Sequence, residues 1–176
     1  MRIIAGTAKG RRLAVPACGT RPLTGRAREA VFSSLAAIVP GADVLDLYAG
    51  SGSLGLEALS RGAASCVFVE REPASAAVLR RNVGAVGLGG TVVVQDVDRF
   101  LQTGDATYDL VFVDPPYAAR DIDLVLDHVA ARMASGGVAI VHRRAGEPIS
   151  ETEFLSLITD RRYGDAHIRV LRKEEA

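Results

Sequence analysis

The sequence predicts an α/β domain built on a largely parallel sheet, and three observations carry the prediction. Five short apolar runs rich in β-branched residues are separated by helical stretches, the alternation that right-handed βαβ units produce. A chain of 176 residues is long enough to bury the full core of one such domain. Each of the first four runs also carries an acid at or near its carboxyl end, the edge at which open α/β sheets hold their ligands.

The elements follow in order. Residues 2 to 15 alternate apolar with basic or small residues around Thr7-Ala8-Lys9-Gly10, the pattern of a short β-hairpin. Pro16 to Thr24 is a loop, and Thr24 is placed to cap a helix over about Arg26 to Ile38, with Ala27, Val31, Leu35 and Ile38 on its apolar face. The five strand-like runs are Asp43 to Leu47, Cys66 to Val69, Thr91 to Val94, Leu110 to Val113 and Gly137 to Val141. Helical stretches between them span Leu54 to Ser60, Pro73 to Val86, a short turn near Val97 to Leu101, and Asp121 to Ala134. The tail breaks the alternation: Glu153 to Arg162 and Ala166 to Leu171, joined by Tyr163-Gly-Asp165, read as a closing hairpin.

Composition narrows the function. No apolar run is long enough for a membrane span, and the N-terminus lacks the apolar stretch of a signal peptide. Cys18 and Cys66 make no disulfide framework, so a reduced cytoplasmic protein is expected. His128, His142 and His167 show no ligand spacing, and no metal site is expected. Charge is balanced overall but not evenly spread. Arg2, Lys9, Arg11, Arg12, Arg21, Arg26 and Arg28 fall within the first 28 residues without a single acid, giving +7 there and −7 in the remainder. A one-signed basic segment beside an acidic body marks a polyanion contact more often than a merely solvated face.

Asp109-Leu-Val-Phe-Val-Asp-Pro-Pro-Tyr117 carries the strongest chemical signal. An unbroken apolar strand ends on Asp114, then on two prolines that cannot continue a ladder, then on an aromatic ring. An exocyclic base amine is a poor nucleophile because its lone pair is delocalised into the ring. Two acceptors on its hydrogens, the Asp114 side chain and the Pro115 carbonyl, hold the nitrogen and favour rehybridisation as positive charge develops. Tyr117 offers a face on which the base can stack. Gly50-Ser-Gly52-Ser-Leu-Gly55 follows the first strand, a G-x-G-x-x-G that opens a helix and lets a ligand approach the backbone. Glu70 stands about 20 residues further on, where an acid meets ribose hydroxyls. The same glycines suit a nicotinamide-dependent oxidoreductase. Against that, Asp46 stands four residues before them, where it repels a pyrophosphate but suits an ammonium group, and Asp96 is placed for an adenine amine. These features fit S-adenosylmethionine.

Val44 to Leu59, Phe68-Val-Glu70 and Phe112 to Tyr117 together resemble a class I methyltransferase acting on exocyclic amines. Arg2-Ile-Ile-Ala-Gly6 and Arg21 to Phe32 narrow the resemblance to RsmD-type 16S rRNA guanine-N2 methyltransferases, over nearly the whole chain. The resemblance implies a class I, Rossmann-like, seven-stranded mostly parallel sheet with helices on both faces and its last strand antiparallel. An arginine-rich N-terminal hairpin (residues 1–24) would grip RNA, and residues 25–176 would form the methyltransferase domain. Asp46, Gly50, Gly52, Glu70 and Asp96 would bind S-adenosylmethionine, while Asp114, Pro115 and Tyr117 would hold the guanine. The implied partner is 16S rRNA in an assembled or nearly assembled small subunit, met by a monomer. Within the same chemistry, adenine-N6 methylation of DNA or RNA and methylation of a glutamine amide are the rival readings. The resemblance departs at Gly25, at Ser33-Ser34 and at Val141-His-Arg-Arg144, which lacks an acid after the fifth strand.

Overall fold

The computed structural model describes residues 1–17, 23–115, 122–144 and 152–174. The described residues form α1 (Gly25–Ser34), β1 (Asp43–Leu47), α2 (Ser53–Ser60), β2 (Ser65–Glu70), α3 (Pro73–Val86), β3 (Thr91–Val94), α4 (Val97–Gln102), β4 (Tyr108–Val113), α5 (Ile122–Ala131), β5 (Met133–Arg144), β6 (Leu155–Tyr163) and β7 (Ala166–Lys173). The strands make one seven-stranded sheet in the order β3-β2-β1-β4-β5-β7-β6. β1 to β5 pair in parallel, while β7 runs antiparallel to both β5 and β6. The order reverses direction between β1 and β4, so the loops leaving those two strands flank the topological switch point.

Local chemistry explains most boundaries. Thr24 caps α1, its hydroxyl accepting from the Ala27 N–H. Pro73 opens α3, and Gly87 closes it in the left-handed region at φ 70°. α1 stops at Ser34, before the expected Ile38, yet the expected face holds: Ala27, Val31 and Leu35 are buried. The fifth strand begins at Met133, four residues before the expected Gly137, and α5 ends correspondingly early at Ala131. Arg132 fixes that turn, donating to the carbonyls of Ala106, Phe100 and Leu101 and stacking over the Phe100 ring. The predicted start of α5 at Asp121 lies outside the described residues.

Strand alternation sorts the core into two layers. Val44, Cys66, Phe68, Leu110, Phe112, Val138 and Ile140 face one side, where α1, α2, α3 and the N-terminal arm pack. Leu45, Leu47, Val69, Val111, Val113, Ala139 and Val141 face the other, beneath α4 and α5. The arm is a hairpin held by an antiparallel bridge, Arg2 to Arg12, and by the bond from the Ile3 N–H to the Arg11 carbonyl. Its Ile3, Ala8 and Leu13 are buried in the first layer. Glu57 of α2, fully buried, accepts from the N–H groups of Ile4 and Ala5 at 2.7 and 3.0 Å and pairs with Arg61 at 2.8 Å. Ser60 and Asn82 tie down Ala5, Ala8 and Ala14. Among the described residues no helix is long and apolar enough to cross a membrane.

Candidate active site

The strand registers bring three of the four predicted acids onto one sheet face. Asp46 lies opposite Phe68 of β2 and Phe112 of β4. Glu70 and Asp114 stand two residues beyond those positions, so their side chains share the Asp46 face one layer further toward the carboxyl edge. This is the face on which the arm packs.

The loop from β1 to α2 is built around glycine and carboxylate. Tyr48, Gly50 and Gly52 all take positive φ (57°, 53° and 76°), a sharp reversal that delivers backbone N–H groups to the strand ends. Asp46 accepts from the Gly55 N–H at 2.9 Å, and Glu70 accepts from Gly50 at 2.9 Å and from Glu72 at 2.8 Å. The glycines differ in use. A Cβ on Gly52 would come within 2.4 Å of Leu79 Cδ1, and one on Gly55 within 2.4 Å of the Phe68 ring and 2.5 Å of Cys66 Sγ, so both serve close packing of α2. A Cβ on Gly50 would meet nothing closer than the Tyr48 carbonyl at 3.9 Å. Gly50 therefore presents open backbone.

Asp46 is the electrostatic anomaly. Only 2 % exposed, its carboxyl is pushed up to about 8 by burial and further by the negative charges of Asp114 and Glu70, against the opposing Gly55 hydrogen bond. A buried acid with acids beside it is a site prepared for a cation. Tyr48 is raised to about 12, chiefly by burial and then by Asp98 and Asp96. Asp96 is exposed and caps α4, its Oδ1 accepting from the N–H groups of Asp98 and Arg99. Asp114 is partly buried beside His142, with Oδ1 2.6 Å from His142 Nδ1. Pro115 is buried, and Tyr117 lies outside the described residues.

Of the basic residues singled out in the sequence, Arg2, Lys9, Arg11, Arg12 and Arg26 are exposed. Arg11 also donates to the Ala85 carbonyl in the last turn of α3. Arg28 departs from the expectation of a surface contact. It is 2 % exposed and donates to the Arg2 carbonyl, and burial lowers its pKa, while the neighbouring Glu57 raises it. Arg28 braces the arm from below. Arg21 lies outside the described residues. Sequence reasoning missed His142 and Glu57. His142 was legible as the next same-face position after Val138 and Ile140, and Glu57 as the lone acid in an otherwise apolar helical run. Among the described residues no group of three or more His, Cys, Asp or Glu is arranged to hold a metal ion.

This strand order, with its antiparallel close and a glycine turn and acids at the switch point, defines a class I, Rossmann-like methyltransferase fold. The chain belongs to the RsmD-type methyltransferase family: the family model described as Conserved hypothetical protein 95 matches residues 1–172. Ribosomal RNA small subunit methyltransferase D of Escherichia coli (strain K12) is 43% identical over 119 residues, covering 66% of this chain and 60% of that protein. That match thus spans less than two thirds of the relative's length. YlbH of Bacillus subtilis (strain 168) is 31% identical over 98% of this chain and 99% of its own. The solved structure of yhhF from Escherichia coli superposes with a TM-score of 0.91 at 32% identity, covering 100% of this chain and 99% of that one.

Proposed function

We propose that the protein transfers a methyl group from S-adenosylmethionine to the exocyclic N2 of a guanine in small-subunit ribosomal RNA. The observation that carries the reading is the set Asp46, Glu70 and Asp114 on one face at the switch point, around a glycine loop whose Gly50 is open. When bound, S-adenosylmethionine supplies an electrophilic methyl group on a sulfonium. The residues present fit it: the buried Asp46 carries a charge penalty that the methionine ammonium would offset, and Gly50 leaves room for close approach. Glu70, already anchoring the loop, would take the ribose hydroxyls. Asp96, whose capping contacts fall on Oδ1, offers Oδ2 to the adenine amine.

Asp114 and the Pro115 carbonyl would accept the two amine hydrogens, and Tyr117 would stack on the base. The amine attacks neutral and sheds a proton afterwards, so Asp114 serves as an acceptor whose grip strengthens as charge develops. The base must be unpaired or flipped to reach it. The exposed basic residues of the arm lie on the same sheet face and would hold the phosphate backbone. The names of the relatives point to ribosomal RNA, and an assembled or nearly assembled small subunit met by a cytoplasmic monomer is the setting we favour. The test is Asp114→Ala. Calorimetry should show S-adenosylmethionine bound as in the parent, while methyl transfer to small-subunit RNA falls about 10²-fold or more. A folded variant that methylates at the parent rate would remove Asp114 from the chemistry.

A further inference from the structure

His142 has no part in the reading above, yet its side chain touches Asp114. It sits one residue beyond Val141, which lies opposite Val113 of β4, so His142 and Asp114 are neighbours at the end of adjacent parallel strands. The imidazole is 5 % exposed, and its Nδ1 lies 2.6 Å from Asp114 Oδ1. A residue so buried, at a strand end where solvent is near, is held there by its contacts. On the other side its register partner in β7 is Ile168, an apolar residue of the same core layer. The flanking Arg143, His167 and Arg169 alternate to the opposite face. Among the described residues, the charged groups on the imidazole's own sheet face near this edge are Asp114, Asp46 on β1 and Glu70 on β2, with Arg144 two residues on along β5 and Arg161, the register partner of Ile168 in β6.

Resting on the proposed reaction, we infer that His142 is a positioning residue for Asp114: its ring donates Nδ1–H to Oδ1 and turns Oδ2 toward the target amine. The contact fixes the carboxylate rotamer at χ2, a torsion that is otherwise broad. It also assigns the ring tautomer, since a carboxylate can only accept. As the amine nitrogen bonds to the methyl carbon, the carbon–sulfur electron pair stays with sulfur, and one amine proton then passes to Oδ2. His142 keeps its own proton throughout.

Two substitutions separate this role from a packing role. Asparagine places an amide N–H near the Nδ1 position but cannot ionise, whereas alanine removes the donor. In single-turnover methylation of small-subunit RNA, His142→Ala should lose about 10-fold in rate, the scale of one hydrogen bond to a charged group, with KM for RNA little changed. His142→Asn should recover most of that loss. Independently of turnover, nitrogen NMR of the labelled parent should show the Nδ1–H tautomer and its loss of bonding in Asp114→Ala. An Nε2–H tautomer, an asparagine variant as slow as alanine, or an alanine variant as fast as the parent would each overturn the inference. If His142→Ala fails to fold, the tautomer measurement decides alone. A parent that transfers no methyl group to any RNA overturns the reaction itself, a failure distinct from an active parent indifferent to His142.

Discussion

Replacing Asp46 by asparagine should make the protein more stable and less functional, by an amount that depends on pH. Asp46 is 2 % exposed, and burial, with Asp114 and Glu70 adding to it, raises its carboxyl from 3.8 to about 8. Because the folded value lies above the unfolded one, the stability associated with the protonated form is complete below about pH 4. It is lost progressively as the pH rises to about 8, where both states become ionised. The full shift corresponds to about 6 kcal/mol at most. Relaxation around buried charges lowers such penalties to several kcal/mol, so ~2–4 kcal/mol is expected here. The asparagine amide keeps an oxygen to accept the Gly55 N–H and carries no charge at any pH. Guanidinium melts of Asp46→Asn and parent should therefore nearly coincide at pH 4 and diverge by ~2–4 kcal/mol at pH 8.5 in favour of the variant. At about 2–4 °C per kcal/mol for a chain of this size, Tm at pH 8.5 should rise visibly. The variant should also lose the counterion for the methionine ammonium and bind S-adenosylmethionine poorly. A variant no more stable than the parent at pH 8.5, or one whose advantage is the same at pH 4, would refute the reasoning that Asp46 is a carboxyl held at a folding cost.

Two further outcomes follow from the same geometry. Glu70→Ala removes both the proposed ribose contact and the anchors of Gly50 and Glu72, and should weaken S-adenosylmethionine binding by roughly 1.5–3 kcal/mol in calorimetry; unchanged affinity would make Glu70 a loop brace only. Replacing the exposed Arg2, Lys9 and Arg12 together by alanine should leave the fold intact, because the arm is held by the buried Ile3, Ala8 and Leu13. The slope of log affinity for RNA against log salt should flatten by about 2, from roughly 0.7 per phosphate contact on a single strand, and an unchanged slope would leave those cations without phosphate.

The central strands and their acids were legible because buried parallel strands read as continuous apolar runs and end abruptly. β1 and β3 match their predicted bounds, as does α3 between Pro73 and Val86. The early start of β5 was not legible, since it depends on Arg132 reaching carbonyls some 26 to 32 residues away along the chain. Charge counting placed Arg28 with the other basic residues, but burial is a property of the folded arm, where it donates to the Arg2 carbonyl within the field of Glu57. The pairing of His142 with Asp114 required the β4–β5 register, which periodicity alone does not supply. Conversely, the glycine loop was read as ligand-facing throughout, whereas Gly52 and Gly55 prove to be packing positions and, of the three, Gly50 is open.

The most direct test is the identity of the product. Small ribosomal subunits lacking the modification are incubated with the protein and methyl-labelled S-adenosylmethionine, and the RNA is digested to nucleosides for mass spectrometry. The account predicts label in N2-methylguanosine at a single position, abolished by Asp114→Ala. Label in N6-methyladenosine, or none in RNA despite bound S-adenosylmethionine, would contradict it.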